Sequence, residues 1–196
     1  AIAIAQQATA RSWVGAFGGD YARLRTDCRL EGRGAHGDLL AAYFGSGDQT
    51  LDFRTFQDHI GADTTSNLLF KGVLDDRSRS VYTGLIHVGA EARGTNAFQT
   101  NRNIKLSEDA WAESVPNLEI ENNDVRCSHA STVGPVDEDQ LFYLESRGVP
   151  GDVAERLLVA GFFDEVVAAV GVDAARAMAD GLVHAKLDTG EHADVR

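Results

Sequence analysis

Between residues 21 and 136 the chain offers only short alternating runs, among them "LLAAYFG", "QTLDFRTF", "NLLFKGVL" and "VYTGLIHVG", punctuated by Gly, Asp and Asn. Alternation of period two bounded by turn formers indicates strands. No helical pattern of ten residues occurs from 21 to 107. Two stretches are copies of each other. "DHIGADTTSNLLF" (58–70) lies over "IHVGAEARGTNAF" (86–98) at an offset of 28, which sets His59 on His87, Gly61 on Gly89, Ala62 on Ala90 and Phe70 on Phe98. A period of this length built from strands implies stacked coils, each unable to bury its apolar face alone. Hairpin dipeptides such as Asn-Gly are missing, which favours coils over meanders. The expectation is a β-solenoid.

The two ends read differently. Residues 1–20 suit a short apolar helix or a broken strand. Past Pro135, "VDEDQLFYLESRG" predicts a helix with Asp137 as N-cap, acids in the first turn and Gly148 as the stop. "PGDVAERLLVAGFFDEVVAAVG" predicts a second, with one broad apolar face of Val153, Leu157, Val159, Ala160, Phe163, Val166, Val167 and Val170. Residues 173–186 predict a third, and "DTGEHADVR" a frayed tail.

Charge and motifs exclude several classes. With 18 Lys and Arg against 30 Asp and Glu, the net charge is −12, and no basic cluster offsets it. That balance repels phosphate backbones and argues against nucleic acid and anionic membranes as partners. No apolar run approaches the roughly 18 residues of a bilayer span. There is no GxxxxGK[ST], so no P-loop nucleotide site, and no GxSxG, HExxH or paired CxxC. Cys28 and Cys127 are the only cysteines, which suggests a reducing, cytoplasmic setting and cannot supply four thiolates to a cluster or structural zinc. The chain does not start with Met, and its apolar opening lacks the basic flank of a signal peptide, so the expectation is a piece of a longer protein.

Few residues carry chemistry. Cys127 and His129 stand two apart in a strand-like segment, so both side chains share one face, as metal ligation or thiolate activation requires. The plainer reading makes Cys127 a small buried hydrophobe and His129 a hydrogen-bonded strand end. His59 and His87 recur at coil spacing and could stack, although a metal pair needs a third ligand. Asp137, Glu138 and Asp139 match a helix dipole. Phe142, Tyr143, Phe162 and Phe163 suit core packing, or else an apolar docking face. "IGADTT" and "VGAEAR" fit a hexapeptide pattern, and so leave open a β-helix enzyme such as an acyltransferase or a zinc hydratase using His59 and His87. An adaptor that binds proteins without touching iron is a third reading.

From about residue 58 onward the chain resembles a known family. "LEIENNDVRCSHASTVGPVDEDQLFYLESRGVP" (118–150), followed by "AERLLVAGFFDEVV" (154–167) and preceded by "TNAFQTNRNIKLSEDAWAESVPNLEI" (95–120), resembles the C-terminal core of the SufD branch of the SufB/SufD family of iron–sulfur cluster assembly proteins. The resemblance implies an all-β right-handed parallel β-helix (solenoid) core over 21–136 with a C-terminal α-helical subdomain over 137–188, which docks an ATPase. Residues 1–20 would then be the remnant of a truncated region and 189–196 a tail. It implies a non-catalytic scaffold that binds no nucleotide itself, pairs with a SufB-like paralogue and docks a SufC-like ABC ATPase, with a homodimer in isolation. His129 matches the interface histidine that helps bind iron or a nascent iron–sulfur cluster, held transiently and shared with the partner chain; Cys127 matches a position of weaker standing. Asp139, Phe142, Tyr143, Arg147, Phe162 and Phe163 fall on the ATPase-docking helices. The family usually has Gly where Ala130 stands and an acid where Asn123 stands; a Gly required for positive φ would leave Ala130 strained beside His129.

Overall fold

A computed structural model of the chain describes residues 1–189. The tail expected over 189–196 lies, past Thr189, outside the described residues. Ten strands precede three helices: β1 (Ile2–Ile4), β2 (Thr9–Ala16), β3 (Tyr21–Leu30), β4 (His36–Gly45), β5 (Thr50–His59), β6 (Thr65–Leu74), β7 (Arg79–Val88), β8 (Thr95–Lys105), β9 (Trp111–Ile120), β10 (Val125–Gly134), α1 (Glu138–Ser146), α2 (Gly151–Ala168) and α3 (Asp173–Thr189). Odd and even strands separate into two sheets, β1-β3-β5-β7-β9 and β10-β8-β6-β4-β2. Every pairing is parallel. The molecule is therefore the expected parallel solenoid with a helical C-terminal part. Coiling already operates in residues 1–20, where β1 pairs with β3 and β2 with β4.

The repeat is real, but its register is not the one the sequence copies suggest. His87 stands opposite Asp58, an offset of 29, and His59 opposite Val88. In the other sheet Asn101 stands opposite Phe70, an offset of 31. A slip of one residue moves a side chain to the other face of a sheet, so the proposed stacking of His59 on His87 is overturned. His59 points into the lumen with no exposed surface, and His87 lies on the outside, bonded through Nδ1 to Asp58 Oδ1 at 2.7 Å.

The lumen is filled in layers. Tyr43, Phe53, Phe70 and Tyr82 stack with successive ring centroids 4.6, 5.8 and 5.5 Å apart, surrounded by Leu39, Leu51 and Leu68. Toward the last coils the inward side chains turn polar, and Asn101 and Asn103 bind the Tyr43 hydroxyl. At one corner the coils approach so closely that a Cβ on Gly61 would sit 2.6 Å from the carbonyl carbon of Gly32. Only glycine fits there.

A second core lies outside the even-numbered sheet. The continuous run "LLAAYFG" is explained by burial on both faces: Leu39, Ala41 and Tyr43 enter the lumen, while Leu40, Ala42 and Phe44 meet the helices. Val159, Phe163, Val166 and Val167 of α2, with Ala179 and Val183 of α3, complete this layer. Polar ties fix it: Trp13 Nε1 donates to the Val166 carbonyl at 3.1 Å, and Lys71 Nζ donates to the Phe162 carbonyl at 2.8 Å and pairs with Glu165 at 2.7 Å.

Candidate functional site

The end of the solenoid formed by β9 and β10 leaves each sheet with an unpaired edge. The two edges are not alike. β9 carries Pro116, Glu113 and Glu119, residues that blunt an edge against further pairing, and each is found on that strand. β10 reads "VRCSHASTVG" over ten residues, with no Pro or Lys and a single charge, Arg126. It presents a ready template for another strand.

Cys127 and His129 occupy this strand and do share one face. Cys127 stands over Ala97 and His129 over Gln99, both inward positions of β8. Because no further strand covers β10 among the described residues, inward residues here are open to solvent. The His129 imidazole is exposed and makes no hydrogen bond among the described residues, so it is not the side-chain-bonded strand end of the plainer reading. Cys127 is half-buried and packs against the cluster of Ile86, Val88, Ala92 and Ala97. Burial pushes its thiol up from the ordinary value, with a partly opposing hydrogen bond at Ala97. Ala130 lies in regular strand and is absent from the positive-φ positions, which are Gln7, Asp63 and Asp76 among non-glycine residues. It imposes no strain on His129. Asn123 lines a polar cleft with Asp124 and Arg126 at the corner before β10.

The open end carries exposed apolar side chains among polar ones such as Glu113, Glu119, Arg126 and Ser131. Trp111, Val115 and Ile120 of β9 and Val133 of β10 are exposed, as is Phe98 of β8. Within the lumen just beneath, Gln99 is 1% exposed and neither polar atom of its amide has a partner. Sequence reading passed over Gln99, since nothing local distinguishes a buried glutamine from a surface one.

The helical part carries a second candidate surface. Asp137 caps α1, its Oδ1 accepting from the Gln140 amide at 3.0 Å, and Gly148 ends it at φ +87°. No residue of α1 is buried. Phe142 and Tyr143, expected in a core, are instead 71% and 57% exposed, and the Arg147 guanidinium lies 5.2 Å from the Tyr143 ring centroid. A cleft of about 420 Å³ runs beside them, lined by Asp137, Asp139, Gln140, Tyr143, Leu144 and Leu158. The broad apolar face of α2 divides: Val159, Phe163, Val166 and Val167 face the sheet, whereas Val153 and Leu157 are exposed. Phe163, at 1% exposure, holds α2 to the sheet and cannot present a surface to a partner. Phe162 is partly covered, its ring 5.0 Å from Lys71 Nζ.

A zinc site on His59 and His87 finds no support. Both ring nitrogens of His59 are engaged, Nδ1 with Thr64 Oγ1 at 2.7 Å and Nε2 with Ser66 Oγ at 2.8 Å, and burial pushes its pKa down to about 4. His87 lies on the opposite face, and the described residues contain no group of three or more His, Cys, Asp or Glu able to hold a metal. No described helix is long and apolar enough to cross a membrane.

These features define a class: a parallel β-solenoid with a helical handle, whose candidate metal-binding histidine sits on an open strand edge and not in a closed pocket. Residues 1–162 match the family model for the SUF system FeS cluster assembly, SufBD core domain, and the chain belongs to that family. It is 39% identical over 196 residues to an iron–sulfur cluster assembly SufBD family protein of Mycobacterium tuberculosis (96% of this chain, 49% of the relative). It is 40% identical over 138 residues to the iron–sulfur cluster assembly protein SufD of Bacillus subtilis (70% of this chain, 32% of the relative). With SufD of Escherichia coli the identity is 33% over 167 residues (85% of this chain, 40% of the relative). The chain spans half or less of the length of these relatives.

Proposed function

We propose that the chain is the core of a SufD-type scaffold in iron–sulfur cluster assembly, pairing through its β9–β10 end with a SufB-like paralogue and through α1 and α2 with a SufC-like ABC ATPase. Iron and the growing cluster are cargo, shared across the seam and not owned by this chain. The carrying observation is the position of His129: an exposed imidazole without a side-chain hydrogen bond among the described residues, on an unguarded strand edge. An imidazole so placed is free to complete a metal's ligand set from the other side of an interface. Two free cysteines, Cys28 buried and Cys127 half-buried, fit a reducing cytoplasmic setting and a chain that does not supply the main thiolates.

The docking surface for the ATPase is Asp139, Phe142, Tyr143, Arg147 and the exposed Leu157, with Phe162 at its margin. Its apolar aromatics and acidic helix start suit a partner face combining hydrophobic and basic groups. Because α2 is tied to β6 through Lys71 and to β2 through Trp13, movement of the helices on ATP-driven ATPase dimerisation would reach the sheet that ends in β10. In this reading the chain is non-catalytic, and hydrolysis belongs to the partner.

The test is anaerobic cluster reconstitution on the complete complex with wild-type and His129→Ala chains. The variant is expected to assemble the complex and to lose cluster formation. Normal rates of cluster formation on the variant complex would remove His129 from the mechanism.

A further inference from the structure

Among the described residues near the open end, Gln99 is the side chain that leaves both of its polar atoms buried and unpaired, whereas Asn96 and Ser114 leave one each. Gln99 is 1% exposed, yet neither its Oε1 nor its Nε2 has a partner. Its strand neighbours differ: Asn101 donates to the Tyr43 hydroxyl and Phe70 carbonyl, and Asn103 donates to Asn101. A buried amide left unpaired is costly, and a leucine would fill the same space without that cost. Room for the amide is also specifically provided. It lies across the lumen against Gly84, where a Cβ would come within 2.5 Å of Nε2.

The residue directly above Gln99 in register is His129. Both side chains point inward, on strands that neighbour each other at about 4.8 Å. A histidine that binds a metal through one ring nitrogen carries its proton on the other, and that N–H requires an acceptor that fixes the tautomer and the ring plane. His129 has no such acceptor among its present contacts. The same-face neighbours on its own strand are Cys127, packed into the apolar cluster, and Ser131, which is exposed. Gln99 has three rotatable bonds, an unpaired carbonyl and no hydrogen bond to give up.

We infer that Gln99 is a positioning residue for His129: its Oε1 accepts the ring N–H and so orients the imidazole for iron at the seam. This rests on the reading of His129 given above. An orphaned amide is then retained at some expense in stability because its partner is the ring one coil away.

The experiment uses the full chain labelled with ¹⁵N-histidine, as wild type, Gln99→Leu and Gln99→Glu, at about pH 8.5, on the alkaline side of the ordinary histidine range. In complex with the SufB-like partner, wild type and Gln99→Glu are expected to hold His129 predominantly in one tautomer. Gln99→Leu is expected to move its ring-nitrogen shifts toward those of free imidazole while melting no lower than wild type. Anaerobic titration with ferrous ion, in complex with the SufB-like partner, is expected to show about 10–100-fold weaker binding for Gln99→Leu and near wild-type binding for Gln99→Glu. Unchanged ring-nitrogen shifts in Gln99→Leu overturn the inference, and a lowered melting point with unchanged shifts identifies Gln99 as structural. Ferrous binding unaffected by His129→Ala would instead overturn the reading of the site, and the tautomer measurement would still decide the role of Gln99.

Discussion

Acidification is expected to destabilise this solenoid in part through one buried histidine. His59 is fully buried, with Thr64 and Ser66 occupying both ring nitrogens, and its pKa falls from 6.5 to about 4, chiefly by burial, with Asp58 opposing and His87 assisting. The folded state therefore holds the ring neutral down to about pH 4, whereas the unfolded chain takes up a proton near 6.5. Stability from this residue is complete above 6.5 and is lost as pH falls from 6.5 through 4. At about 1.36 kcal/mol per pH unit the loss is roughly 3 kcal/mol, a large share of the stability of a domain this size. His87 acts in another window. Its pKa is raised, first by the Asp58 hydrogen bond, so its contribution is complete below 6.5 and fades only as pH rises through the folded value. Urea denaturation between about pH 7.5 and pH 4, on wild type and His59→Gln, separates the effects by linear extrapolation. The wild type should lose roughly 3 kcal/mol more than the variant across that window. Parallel loss in both proteins would refute the assignment of acid sensitivity to His59.

Two further perturbations probe how the parts are joined. Lys71 is buried under α2 while its partner Glu165 is 62% exposed, so removing the two should have unequal effects. Glu165→Ala strands a buried cation and should cost about 1–2 kcal/mol, with Lys71→Met within about 1 kcal/mol of wild type and the double variant resembling Lys71→Met; a double-mutant cycle by chemical denaturation checks this, and equal losses would contradict it. Gly61→Ala places a methyl group against the Gly32 backbone and should destabilise by about 3 kcal/mol through overpacking, read as a lowered melting temperature.

Much of the fold was legible because its signals are local. The Asp137 cap, the Gly148 stop and the alternation within β5 to β8 each act over a few residues, and the structure keeps all of them. That Cys127 and His129 share a face follows from the two-residue period of a strand. What the pattern could not supply was register. Coil length varies, 29 residues between β5 and β7, 31 between β6 and β8, and 30 between β8 and β10, because each corner takes a different number of residues. An offset of 28 read from sequence copies put His59 and His87 on one face when they lie on opposite ones. Burial of the aromatics was equally undecided: Phe163 and Phe142 differ only in whether another element covers them, and α1 has no sheet beneath it.

The sequence by itself determined coils of strand followed by capped helices, a body too acidic for nucleic acid, and a cysteine–histidine pair on one strand face. Only the tertiary structure decided that this strand is the last of its sheet, that His129 is consequently open to solvent, and that Gln99 lies unpaired beneath it. The reason is physical. Alternation and capping depend on neighbours in the chain, whereas exposure at an edge depends on whether another strand arrives to cover it.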